Sequence, residues 1–178
     1  MTTERKLAYK ACIACHRDTR AEIMKPSHHP IIEGKVKCTD CHNNNQGPGA
    51  GSTGPKGPHG SAYIPILERQ LLLTDRTPYN QNNFGLCFKC HSSSVVVSEQ
   101  STSWRYHKKH IEDFRAACTT CHDSHASTQP HLINFNTTYV QPYNGVLNYT
   151  STGLNHGNCT LSCHDGSGQM KPHDAKSY

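Results

Sequence analysis

The stretch Cys118-Thr119-Thr120-Cys121-His122 sets two cysteines three positions apart and closes on a histidine. The arrangement recurs as Cys12-Ile13-Ala14-Cys15-His16, Cys38-Thr39-Asp40-Cys41-His42 and Cys87-Phe88-Lys89-Cys90-His91, and with one extra residue as Cys159-Thr160-Leu161-Ser162-Cys163-His164. All 10 cysteines are thereby paired, and each pair is followed at once by histidine. At this chain's histidine frequency, chance would do this with a probability of roughly three in a million, so the pattern has a chemical cause. Disulfides would explain the cysteines but not the histidines. Zinc ribbons do not require histidine after every knuckle, and five knuckles cannot be divided into complete four-cysteine sites. A thioredoxin-like redox motif needs strand-helix alternation around the pair, which is absent here.

C-x-x-C-H is the attachment signature of c-type haem: two thiols add across the porphyrin vinyl groups, and the adjoining imidazole is placed to ligate iron. The reading is five covalent haems held by Cys12, Cys15, Cys38, Cys41, Cys87, Cys90, Cys118, Cys121, Cys159 and Cys163, with His16, His42, His91, His122 and His164 as proximal iron ligands. The extra residue of the fifth motif is one that a loop can absorb. Of 14 histidines, nine remain for the opposite faces, against only Met24 and Met170 besides the first residue, so bis-histidine ligation is expected. A six-coordinate iron has no open position for substrate, which favours electron transfer over catalysis. The distal candidates are His28 or His29 before Pro30, His59 at the end of a Gly/Pro-rich loop 43–60, His110 ahead of His107, His125, His131 and His173. His125 lies too close to His122 to cap the same haem and would serve a neighbour. His156 reads equally well as a surface residue.

Outward from the motifs, the chain is poor in core material. Its 178 residues suggest one domain, 1–178, and about 37% are apolar on a count where roughly 45–50% is usual. With about 36 residues per haem, the macrocycles must supply the missing core. The fold class expected is mostly irregular with short α-helices, a haem-packed multihaem cytochrome c. Helices are predicted at 3–17, 61–73 and 103–117, the last with an apolar stripe of Trp104, His107, Ile111 and Phe114. A β-hairpin near the C-terminus is predicted from 137–141 and 146–150 around Pro142-Tyr143-Asn144-Gly145. No apolar run exceeds five residues, so no membrane span is expected. Met1 to Lys10 is charged and lacks the apolar stretch of a secretory signal, so the chain reads as a mature or partial one. The net charge of +5 is scattered, and haem propionates would more than offset it, so no nucleic-acid partner is expected.

The strings Ser27-His28-His29-Pro30, Gly34-Lys35-Val36-Lys37-Cys38-Thr39-Asp40-Cys41-His42, Pro58-His59-Gly60-Ser61, His107-Lys108-Lys109-His110-Ile111, Cys121-His122-Asp123-Ser124-His125 and His131-Leu132-Ile133-Asn134-Phe135 carry a resemblance. With Cys163-His164 they resemble the doubled C-x-x-C-H multihaem cytochromes of metal-respiring bacteria. The resemblance implies export to the periplasm, outer-membrane surface or cell exterior, with redox proteins or extracellular electron acceptors as partners. It also implies that self-assembly into haem filaments through haem-bearing termini is open to such a chain, and it supports His59, His125 and His131 as ligands. The sequence departs from the family in the Gly/Pro-rich insertion between His42 and His59. A reductase with one five-coordinate haem is the alternative from another class.

Overall fold

The structure, a computed structural model, describes residues 8–58, 60–99 and 104–177. They form two compact units, one from residues 1–71 with 124–132, the other from 72–123 with 133–178.

In the first unit, helices α1 (Tyr9–Ile13) and α2 (Arg17–Ile23) replace the described part of the helix expected over 3–17. The break falls at the motif: His16 leaves helical geometry at φ −92°, ψ 70° and restarts the chain as the N-cap of α2. Strand β1 (Ser27–His28) pairs antiparallel with β2 (Ala126–Ser127), in register Ser27 to Ser127 and His28 to Ala126. Ile23, Ile31, Leu67 and Ala126 are buried in this unit. Helix α3 (Cys38–Cys41) follows, its entry fixed by the Lys37 N–H donating to Asp40 Oδ2 at 2.8 Å.

The Gly/Pro-rich segment is an ordered loop. Asn43 Oδ1 accepts the Gly57 N–H at 2.9 Å, Asn44 Oδ1 accepts that of Gln46 at 2.8 Å, and the Gly54 N–H donates to Gln46 O at 2.7 Å. A Cβ on Gly47 would stand 2.9 Å from Pro55 O, so this chain reversal needs glycine for space. Gly49 lies against the buried carboxylate of Glu68, which also takes a hydrogen bond from Asn43 Nδ2 at 3.2 Å.

No helix forms over 61–73. Pro65 supplies no N–H and disfavours helical geometry at Ile64, and Ile66 has φ 59°. The segment is held instead by Leu67 N–H to Tyr63 O (2.7 Å) and Glu68 N–H to Cys41 O (2.9 Å).

The second unit buries Phe84, Ile111, Ala117, Val140 and Leu161. Helix α4 (Ser93–Val96) is a single turn, and the helix expected over 103–117 shortens to a π-helical segment, Lys109–Asp113. There the Phe114 N–H reaches Lys109 O at 3.0 Å, five residues back, and the Ala116 N–H reaches His110 O at 2.9 Å, six back, so the closing turns are wider than an α-helix allows. Helix α5 (Cys118–Cys121) leads to an antiparallel sheet of β3 (Val140–Gln141), β4 (Asn148–Gly153), β5 (His156–His164) and β6 (Met170–Ser177).

The sheet near the C-terminus is thus present, with different pairing from the arms named above. The turn at Tyr143 to Val146 forms, with Asn144 and Gly145 at φ 49° and 79°. However, β3 and β4 both pair with β5, at Val140 to Cys163 and Asn148 to Thr160, while β6 pairs along β5 as well. The long strand outcompetes the local hairpin because it offers more ladder bonds.

Candidate functional site

Four of the five cysteine motifs fold the same way. The His16 N–H donates to Cys12 O at 2.9 Å, His42 to Cys38 O at 2.8 Å, His91 to Cys87 O at 3.0 Å and His122 to Cys118 O at 3.0 Å. Each is one helical turn in which the histidine N–H closes onto the first cysteine, so both thiols project from one turn and the imidazole departs from its end. His42 and His122 then take extended geometry at ψ 94° and 135°, turning the chain away from the helix axis. Cys15, His16, Cys90 and His91 are exposed, whereas the motifs at Cys38 and Cys118 are half-buried.

Successive motifs meet through their first thiols. Cys12 and Cys38 are hydrogen-bonded to one another, as are Cys87 and Cys118. Burial pushes the Cys38 thiol up to about 11 and Cys159 and Cys163 likewise to about 11, and raises Cys121 further. Cys118 is raised chiefly by its hydrogen bond with Cys87, which is itself lowered. All ten cysteines are free of disulfides.

The fifth motif is different. Cys159 and Cys163 lie in β5, where four residues of extended chain span about 13 Å. His164 is buried, its Nε2 3.0 Å from Asp75 Oδ2 and its Nδ1 3.0 Å from Asp165 O. Asp75 also accepts from the Ala117 N–H at 2.8 Å and from Thr120 Oγ1. This motif thus departs from the helical turn that the other four share.

The histidines sort by what meets Nδ1. His29 donates Nδ1–H to Ser124 O at 2.9 Å, His42 to Pro65 O at 3.0 Å, His110 to Tyr106 O at 2.8 Å and His125 to Glu22 Oε2 at 3.1 Å. In each, the lone pair is thereby placed on Nε2, the tautomer a metal-bound imidazole needs. His28 differs: its Nδ1 faces Lys25 O at 2.6 Å and its Nε2 the Glu33 carboxylate at 3.0 Å. The hydrogen bond to the Glu33 carboxylate raises His28 and lowers Glu33, favouring the charged form of each.

Imidazole rings also approach in pairs. His42 and His125 have centroids 6.0 Å apart, His107 and His122 6.1 Å, and His110 and His173 6.2 Å. A metal-imidazole bond of about 2.0–2.1 Å on each side, plus about 1.1 Å from nitrogen to ring centre, gives about 6.2 Å. The first two pairs each join a motif histidine to a second one, and those two sites fit an iron with two axial imidazoles. Burial, with His122 and His110 nearby, lowers His107 to about 4, which keeps the ring neutral. Trp104 stands against both His107 and His110, at 5.2 and 4.9 Å. At the fourth motif, Thr119 Oγ1 is buried with no hydrogen-bond partner, a cost of about 1–3 kcal/mol unless a bound group meets it.

The remaining candidates are dispersed. His173 is buried, its Nε2 4.0 Å from Cys163 Sγ. His131 is exposed and in left-handed geometry at φ 59°. His156 is the exposed first residue of β5, and His59 lies outside the described residues. Sequence reasoning missed Asp75, Glu22 and Glu68, since an acid's burial or its contact with a distant imidazole leaves no local signal. Among the described residues no helix is long and apolar enough to cross a membrane.

No curated protein and no solved structure matches the chain. Residues 112–140, which hold the fourth motif together with His125 and His131, match the family model for the doubled CXXCH motif, and this match supports a c-type cytochrome that carries covalently bound haem.

Proposed function

We propose that the chain is an exported multihaem c-type cytochrome that relays electrons between redox partner proteins or to extracellular acceptors, with one haem at each of five motifs. The observation that carries this reading is the repeated turn. Four copies of one Cys-to-His hydrogen-bonded helical turn, two of them with a second imidazole at 6.0–6.1 Å, support it: their cysteines would attach a haem and the paired imidazoles would ligate its iron. When bound, the haems supply reversible one-electron chemistry at iron. The chain's own residues anchor, orient and shield. Cys12 with Cys38, and Cys87 with Cys118, bring attachment points of successive motifs side by side, which favours closely spaced redox centres. In this reading His125 serves the site of His42 and His107 that of His122, while His29, rather than His28, is a distal ligand. His59, His110, His131 and His173 remain for the other sites. The chain acts as one domain, with no nucleic-acid partner and with self-assembly through its termini open to it.

The test is made on protein matured in a host that attaches c-type haem. Five haems should survive denaturation by intact mass, and the oxidised protein should be wholly low-spin by electron paramagnetic resonance. The reduced protein should bind no carbon monoxide. Zinc in place of iron, or no covalent haem, overturns the reading.

A second reading rests on the fifth motif. Because both nitrogens of His164 face acceptors, an iron attached there would lack its motif imidazole, and an open coordination position suits a reductase. Stoichiometric carbon monoxide binding by one haem of the native protein would favour it.

A further inference from the structure

Glu22 has no part in the attachment motifs, yet it is aimed at one of the proposed ligands. Its Oε2 accepts from Nδ1 of His125 at 3.1 Å, while the same ring lies 6.0 Å from His42. Both groups are held from behind. Glu22 sits in α2 next to Ile23, which is 1% exposed, and His125 precedes Ala126, which is 0% exposed and paired to His28 in the β1–β2 ladder. The His29 N–H donates to His125 O at 3.1 Å, fixing the backbone on the other side. The contact therefore joins two anchored elements and is unlike a pair of mobile surface chains.

The partner's chemistry sets His125 apart from the three other histidines described above. His29, His42 and His110 direct Nδ1 to backbone carbonyls, which are neutral acceptors. A carboxylate is a full charge and draws the Nδ1 proton more strongly, so the ring becomes a more basic ligand at Nε2. A more basic ligand stabilises the oxidised, more positive iron over the reduced one.

We infer that Glu22 is a positioning residue that makes the His42–His125 site harder to reduce than sites whose ligands face backbone carbonyls. The inference rests on the haem-relay reading above and adds a direction to it, since an electron spends least time on the most reducing centre. The side chains of His125 and Glu22 are 37% and 29% exposed, so water screens the effect. We expect about ten-fold in the ferric-to-ferrous ratio at a fixed potential, a magnitude set at the low end of the about 10–100-fold by which outer-shell partners change metal affinity.

The experiment uses the full holo-protein and a stepwise reductive titration followed by the low-spin resonance signals. In Glu22→Gln, one component should move to higher potential by that ratio while the others stay, with all haems attached and carbon monoxide still excluded. Glu22→Asp, which keeps the charge but shortens the reach, should move the same component less. Glu33→Gln removes a carboxylate from His28, which is not a proposed ligand, and should move nothing. The inference is overturned if Glu22→Gln leaves every component in place, if Glu33→Gln gives the same shift, or if Glu22→Gln opens an iron to carbon monoxide. Missing haems or carbon monoxide binding in the unmodified protein would count against the relay reading instead.

Discussion

At the scale of single residues, neighbours in sequence have separate fates. His28 and His29 are adjacent, yet Glu33 and Lys25 O occupy both nitrogens of the first while Ser124 O sets the tautomer of the second. Sequence could not separate them, because the deciding acceptor for His29 comes from 95 residues away. We predict that His29→Ala creates one high-spin, carbon-monoxide-binding haem and that His28→Ala leaves the spectrum low-spin. The reverse result would exchange their roles. The pair His107 and His110 divides in a related way. Helical spacing put both near one apolar stripe and weighed His110 ahead, but His107 is the one 6.1 Å from a motif histidine. His107→Ala should therefore open the haem attached at Cys118 and Cys121, seen as carbon monoxide binding by one haem. If only His110→Ala does so, the pairing proposed here is wrong.

Elements were legible where a short-range rule governs them and illegible where a distant partner decides. The motif turns follow from spacing alone: a histidine four residues after the first cysteine is where a helical N–H bond closes. The turn at Asn144-Gly145 was legible for the same reason. The pairing of its arms was not, since β5 captures both, whereas the interruption at Pro65 follows a local rule that the helix expected over 61–73 overlooked. Buried acids hold several elements in place. The Gly49 position has no room for a methyl group beside Glu68, so Gly49→Ala should destabilise by about 1–3 kcal/mol in denaturant melts. An unchanged midpoint would mean that the loop yields freely. Asp75 ties the entry of α5 to β5, and with side chains only 3% and 2% exposed the His164–Asp75 pair lies out of water. Asp75→Ala leaves the Ala117 N–H and Thr120 Oγ1 unmatched and should cost about 1–3 kcal/mol. A loss below about 1 kcal/mol would show that the pair is dispensable.

For the whole molecule, the shortage of apolar residues translated directly into a thin core. Among the described residues only nine hydrophobic side chains are buried, from Ile23 to Leu161. Such a core cannot offset the chain entropy of a protein this size. Protein made without covalent haem attachment should therefore show no cooperative thermal transition by circular dichroism, whereas the matured protein should. A sharp transition in the haem-free chain would mean that the polypeptide supplies its own core. The division into two units was not legible, because composition and motif spacing are blind to a segment that returns. Ser124 to Leu132 belongs with the first unit although more than fifty residues of the second separate it from Leu71. The β1–β2 ladder closes that return, and it brings His125 to His42. The first two motifs consequently depend on chain made long after them. Neither unit is a portable gene segment: a recombination event that copied residues 1–71 would carry two cysteine motifs but leave behind His125, whose ring lies beside that of His42.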